Sequence, residues 1–464
     1  LVRLGANAFS NTELFFDEAQ YWFWSRELAF GYYSKPPLIG WIIRGVTEIC
    51  GQGEACIRAP SALLHAGTAL LIYAIGRTLY DARIGFWAGL TYATLPGVSL
   101  SSTLISTDAP LLFFVSLALF AFLKLRENPS WRWAVFFGAA VGFGFLSKYA
   151  MAYFLVCMGL VLIWLPVYRS VLKDVRFYAA LAIGGAVFAP NIVWNAQNSF
   201  ATLSHTADNA NWSSSMFHPG EALDFIGGQF GVFGPILFAA FLVFCFNWLR
   251  RPGVGVRAQA GAAERLLLAF SVPVILLMTA QAFLSRAHAN WAAFAYVAGT
   301  VLMTAVLLRQ GRSRLFRVSL ALHFALFIPI SIGGILAGRI SLSGSADPYV
   351  RVLGWKKLAE SAAGKAREGG FRAIATDKRA LAAELLYYLR DEGIPVVALR
   401  GDGPPNDHFE LTRPLTDETP RPVLIVSLGQ NRGLGGHEIG SAEIPAGPVK
   451  TRKVFFYSIQ GAEE

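Results

Sequence analysis

STDAPLLFFVSLALFAFLKLRENPSWRWAVFFGAAVGFGFLSKYA, residues 106–150, is the stretch that decides the fold. Two apolar runs, Pro110–Leu123 and Trp133–Phe145, are joined by a segment that holds Lys124, Arg126 and Arg132. Such runs read as membrane-crossing helices, which need about 20 apolar residues at about 1.5 Å rise each. The second run is short by that measure. The basic joint marks the cytoplasmic side, so Ser106–Asp108 and Ser147–Tyr149 meet the opposite surface. The spacing therefore predicts a helical hairpin with its ionisable residues at one water–lipid boundary.

The same texture continues on both sides. Further candidate spans are Ser61–Gly76, Ile84–Ile105, Met151–Tyr168, Phe177–Trp194, Phe225–Trp248, Leu266–Leu284, Trp291–Leu308 and Val318–Ala337. With the first two runs, about ten or more spans are expected. Ser34–Cys50 reads as an amphipathic helix at an interface. The loops 77–83, 124–132, 169–176, 250–265 and 309–317 carry sixteen Lys and Arg residues against four acids. That is the bias of cytoplasmic loops. The alternate loops, 11–35, 195–222 and 285–290, fall outside, and a first helix that places Asn11 there is expected ahead of Leu1.

Composition agrees. The 464 residues are 54% hydrophobic and 15% charged, with a mean hydropathy of +0.46, whereas a soluble domain carries roughly 25% charged residues. Disorder needs the opposite balance, and four cysteines are too few for a disulfide scaffold. The net charge of +10 is mostly topogenic, so a nucleic-acid partner is not expected. After Ala337 charged residues become frequent. Tyr349–Glu368 and Arg379–Asp391 read as helices, and Phe371–Thr376, Pro395–Leu399, Val423–Leu428 and Lys453–Ile459 as strands. The chain is thus read as a membrane domain, residues 1–338, followed by a periplasmic α/β domain, residues 339–464.

Ionisable groups at a membrane are costly and read as functional by default. Asp17, Glu18, Lys35, Asp108, Lys148, Arg286 and His288 are far apart in the chain, yet the topology puts all of them at the outer face. Each also has a plainer reading. Asp17 and Glu18 could cap a helix, and Tyr21, Trp22 and Trp24 behind them could form an aromatic belt. Pro36 and Pro37 could start the helix after Lys35, and Asp108 has the same ambiguity. Lys148 could snorkel, although a lysine in so short a turn has little structural purpose. Arg286, His288 and Asn290 could be an ordinary polar loop before Trp291. His65 and His323, inside spans, read as packed and hydrogen-bonded. Cys50 and Cys56, flanking Gly51 and Gly53 on the outer side, are either a disulfide or two unrelated thiols. No Walker loop, HExxH, paired CxxC or GxSxG is present.

The ordered set of Asp17-Glu18, Lys35-Pro36-Pro37, Asp108 and Ser147-Lys148-Tyr149 resembles the bacterial GT-C glycosyltransferases. These are grouped with the protein O-mannosyltransferases and the aminoarabinose transferase of lipid A, and the likeness covers nearly the whole chain. It implies an inverting transfer of a sugar from a polyprenyl phosphate to an envelope glycan, lipid or protein at the outer membrane face. Carried over, Asp17 is the base or acceptor-orienting group with Glu18 beside it. Lys35 and Lys148 contact the donor phosphate, Arg286 joins them, and Asp108, Tyr149, His288 and Asn290 bind substrate. Where the aminoarabinose transferase has a glutamate before its Lys-Pro-Pro, this chain has Ser34, so metal-independent chemistry without a cofactor is expected. A lipid-linked glycan transporter is the competing reading, but it should spread charge through the membrane midplane.

Overall fold

Proline and glycine decide where the apolar runs stay whole and where they break. The structure, a computed structural model, describes residues 1–210, 217–250, 261–339, 347–401, 403–430 and 435–460; most of the 250–265 loop lies outside them. Two compact units are formed, one from residues 35–38 and 60–331 and the other from residues 1–34, 39–59 and 332–464.

Among the described residues, five helices are long and apolar enough to cross a membrane: Glu54–Leu79, Asp108–Glu127, Val175–Gln197, Ala262–Leu284 and Ser313–Leu336. The pair Tyr149–Trp164 and Pro166–Lys173 is equally apolar but bent by 110°, so that it is either a broken span or a re-entrant loop. Trp131–Ser147, Pro235–Arg250 and Ala295–Arg309 are shorter and equally apolar. This is a polytopic helical membrane protein. Three expected spans are corrected. Ile84–Ile105 is two helices, Ala82–Thr94 and Pro96–Ser101, because Pro96 cannot donate to the preceding turn. Phe225–Trp248 breaks at Gly234, whose φ of +91° only glycine adopts freely. Met151–Tyr168 turns at Pro166, where the ring forbids continuation.

Within the helical unit, small residues set the closest approaches, as expected where lipid removes the hydrophobic drive between helices. Gly138 and Gly142 on Trp131–Ser147 face Ala180, Gly184 and Val187 on Val175–Gln197, leaving no room for a β-carbon. Ala295–Arg309 is buried almost all round, the mark of a central helix.

The other unit is built on a five-stranded sheet: β1 (Ala373–Thr376), β2 (Val396–Ala398), β3 (Val423–Ser427), β4 (His437–Pro445) and β5 (Thr451–Ile459). The order is β2-β1-β3-β5-β4, with β2, β1 and β3 parallel and β5 antiparallel to both its neighbours. Central β3 is buried along its whole length, hence its unbroken apolar run. Strand β4 was not expected from the sequence. It lies at the edge, is largely exposed and carries a bulge between Glu438 and Gly440, so alternation is blunted where it would be read.

The helix Phe16–Arg26 packs on helix Arg379–Tyr388 of the same unit. Trp22 meets Tyr387 edge-on at 5.0 Å, and the Leu14 N–H donates to Tyr388 Oη at 3.0 Å. Tyr21, Trp22 and Trp24 are therefore core residues, not a membrane belt. Trp24 stacks on Tyr32 with the His408 ring edge-on to both. Burial holds that imidazole down at about 3. Cys50 and Cys56 form a disulfide with Cα atoms 5.9 Å apart.

Glu384, on the inner side of helix Arg379–Tyr388, is fully buried, and neither carboxyl oxygen has a hydrogen-bond partner among the described residues. Burial first, then the neighbouring Glu13 and Glu18, raise its pKa well above the ordinary 4.5, against Arg452 and Arg58. The neutral form is thus the folded form. Its contribution to stability is complete below the ordinary carboxylate range and is lost as pH rises through the raised value. The unfolding midpoint should fall from mildly acidic to mildly alkaline buffer, and Glu384→Gln should flatten that slope. An unchanged slope in the variant would assign the dependence to another group.

Candidate active site

Helix ends supply a polar cluster in the helical unit. Asp108 opens the helix Asp108–Glu127 and Lys148 follows the last turn of Trp131–Ser147, so each charge sits where the helix dipole favours it. Lys148 Nζ donates to Asp108 Oδ1 at 2.6 Å, and Asn290 Nδ2 donates to Oδ2 at 2.7 Å. Lys35 lies close enough to act electrostatically on the same carboxylate. One carboxylate between two lysines leaves a net positive charge. Asp108, Asn290 and His288 also line a cavity of about 470 Å³ whose other walls are mainly apolar, among them Leu95, Leu104, Leu112 and Val232. Also lining it, His65 has Nδ1 and Nε2 each 3.0 Å from a hydroxyl, of Tyr92 and of Ser101. His65 is thus packed and bonded as expected. His323 is packed against Gly234, but among the described residues its ring nitrogens have no partner.

A separate polar cluster belongs to the sheet-bearing unit. Asp17 lies in the first turn of Phe16–Arg26, again at the favourable dipole end. Its Oδ1 accepts from Arg379 Nη1 at 2.9 Å, and Arg379 Nη1 also donates to Gln20 Oε1 at 2.6 Å. Glu18 turns the other way. It is 1% exposed, accepts from Arg58 Nε at 3.0 Å and Nη2 at 2.8 Å, and takes the Phe15 N–H at 2.9 Å. Arg58 further donates to the Thr12 carbonyl and hydroxyl and to the Glu13 carbonyl, so one guanidinium gathers the whole turn 12–18.

Asp108, Lys148, Asn290, Lys35 and His288 are brought together, all in the helical unit. Tyr149 turns aside: its hydroxyl donates to Asn191 Oδ1 at 2.8 Å and accepts from Asn195 Nδ2 at 3.0 Å. Arg286 is exposed, and among the described residues its carbonyl, not its side chain, is bonded, to Gln281. Two partners were missed in the sequence. Arg58 falls inside the helix Glu54–Leu79, and an arginine so close to a span was itself a signal. Arg379, in a helix of ordinary polarity, gave none.

Residues 34–194 match the family described as dolichyl-phosphate-mannose-protein mannosyltransferase. The chain is 36% identical over 422 residues to the lipid A galacturonosyltransferase RgtD of Rhizobium johnstonii, covering 91% of this chain and 87% of that one. To the lipopolysaccharide core galacturonosyltransferase RgtA of the same organism it is 27% identical over 270 residues, covering 56% and 54%. Two crystal structures of ArnT from Cupriavidus metallidurans, apo and bound to undecaprenyl phosphate, share the fold. Each has a TM-score of 0.66 at 14% identity over 98% of this chain, and they are covered to 95% and 96%. The fold and the 36% identical relative together define a membrane glycosyltransferase of GT-C type. The chain belongs to the bacterial GT-C glycosyltransferases, alongside the lipid A galacturonosyltransferase.

Proposed function

We propose that this protein is an inverting glycosyltransferase that moves a uronic acid from a polyprenyl phosphate to lipid A or the lipopolysaccharide core at the periplasmic face of the inner membrane. The observation that carries this reading is the bonding of Lys148 to Asp108, which with Asn290 lines an apolar cavity. An isoprenoid chain suits such walls, and ammonium groups suit the phosphate at its head. That the 36% identical relative is a lipid A galacturonosyltransferase supports the sugar and the acceptor. The solved ArnT bound to undecaprenyl phosphate supports the donor class.

In this reading Lys35, Lys148 and Arg286 hold the donor phosphate and stabilise the charge that grows on it as the bond from the anomeric carbon to the phosphate oxygen breaks. The acceptor oxygen attacks from the opposite face of the sugar, which inverts the centre. Asp17 orients the acceptor hydroxyl and takes its proton. Polyprenyl phosphate leaves with the bonding electrons. Asp108, His288 and Asn290 contact the sugar, Tyr149 turns away to Asn191 and Asn195, and Glu18 supports Asp17 by fixing the turn through Arg58.

The test is direct. Lipid A and core from a strain lacking this protein should be lighter by one uronic acid on mass spectrometry, and complementation should restore it. Purified protein given synthetic polyprenyl-phosphate galacturonate should label lipid A. Transfer to protein hydroxyls is the second reading, favoured by the family match over residues 34–194. Unchanged lipid A with a sugar missing from membrane proteins would select it, and no missing sugar anywhere would sink both.

A further inference from the structure

We infer that Arg379, carried by the sheet-bearing domain, is a positioning residue for transfer, holding Asp17 in the orientation from which it takes the acceptor proton. The inference rests on the role of Asp17 proposed above. Arg379 Nη1 donates to Asp17 Oδ1 at 2.9 Å and to Gln20 Oε1 at 2.6 Å, and the guanidinium carbon lies 4.9 Å from the centre of the Phe16 ring. The head of the side chain is therefore fixed from three directions by one outer helix. Gln20 is itself buried, and its amide nitrogen reaches Ser34 Oγ at 3.5 Å. The stem is equally fixed, because Arg379 opens a helix that Tyr387 and Tyr388 lock against Trp22 and Leu14.

The carboxylate is divided in a way that fits its task. Oδ1 is taken by Arg379, whereas Oδ2 makes no hydrogen bond among the described residues. Asp17 is 38% exposed and Arg379 35%, so a substrate hydroxyl can approach the open oxygen. Exposure also settles what the pair is worth. Ion pairs this open to water contribute little to stability, so stability does not account for placing an arginine between Asp17 and a buried glutamine. Position does, since a shift of about 1 Å in a reacting group costs about 10²-fold in rate.

Arg379→Ala in the full-length protein should lower kcat about 10²-fold, leave KM for donor and acceptor unchanged, and leave the unfolding midpoint where it was. Arg379→Lys, which can still donate one hydrogen bond to Oδ1, should recover part of kcat. A raised KM with kcat intact would mean that Arg379 binds substrate, and would overturn the inference. So would unaltered kinetics, or a lowered midpoint with no rescue by lysine. Asp17→Asn measured alongside separates the two levels. If that variant turns over normally, the assignment of Asp17 fails whatever Arg379 does. If it is inactive while Arg379→Ala is fully active, only the positioning role fails.

Discussion

Asp17→Asn should leave a folded protein whose transfer rate is lower by about 10³-fold, within the range of about 10² to 10⁴ supplied by a positioned proton acceptor. Asparagine keeps the shape of the side chain and an oxygen for Arg379 Nη1, so the outer helix should stay docked. What it loses is the capacity to take a proton. With the donor phosphate assigned to lysines and an arginine of the other unit, KM for the donor should not move. The loss should appear wholly in kcat, as it does when an interaction belongs to the transition state. Steady-state kinetics with a polyprenyl-phosphate sugar and purified lipid A would read this. Wild-type turnover in the variant would remove Asp17 from the chemistry, and a raised KM with intact kcat would make it a binding group.

The acid next to it shows what sequence could and could not reveal. Asp17 and Glu18 are adjacent, and both stood out as ionisable groups at the outer face. On a helix, neighbours in sequence point about 100° apart, so one meets Arg379 beside solvent and the other Arg58 in the core. Nothing in the pair of letters says which is which. Lys148 was more legible, because a lysine in a very short outer turn is hard to explain otherwise, and Asp108 at the mirrored helix end is what it binds. Asn290 was legible only as one of a polar cluster. Arg379 could not be read at all, since its meaning comes from a contact between residues 362 positions apart.

The same limit governs the fold. Long apolar runs announced the membrane helices, and the composition change after Ala337 announced the sheet, with β1, β2 and β3 within the expected segments and β5 beginning two residues ahead of its own. Breaks inside runs were not foreseen, although Pro96, Gly234 and Pro166 were visible as letters, because proline and glycine are tolerated in membrane helices whose neighbours re-satisfy the backbone. The docking of residues 12–26 on helix Arg379–Tyr388 was equally hidden. It depends on aromatic side chains that serve a membrane interface and a protein core alike.

Arg58→Met should be the most destabilising single change in that docked region. Arg58 and Glu18 are 2% and 1% exposed, and removing one partner of a buried pair costs about 3–5 kcal/mol because the other charge stays unpaired. That is a large share of the roughly 5–15 kcal/mol that holds a typical protein folded. The loss is compounded by the bonds to Thr12 and Glu13 that go with the guanidinium. The expected result is little folded protein in the membrane by size-exclusion profile, with activity falling in proportion. Adding Glu18→Leu should recover folding, since an apolar pair of similar volume in place of a buried ion pair is often neutral or stabilising. It should also recover activity, because Glu18 in this account shapes the turn and takes no proton. A double variant that folds yet stays inactive would place Glu18 among the reacting groups. A single variant that folds normally would show that turn 12–18 holds without its arginine.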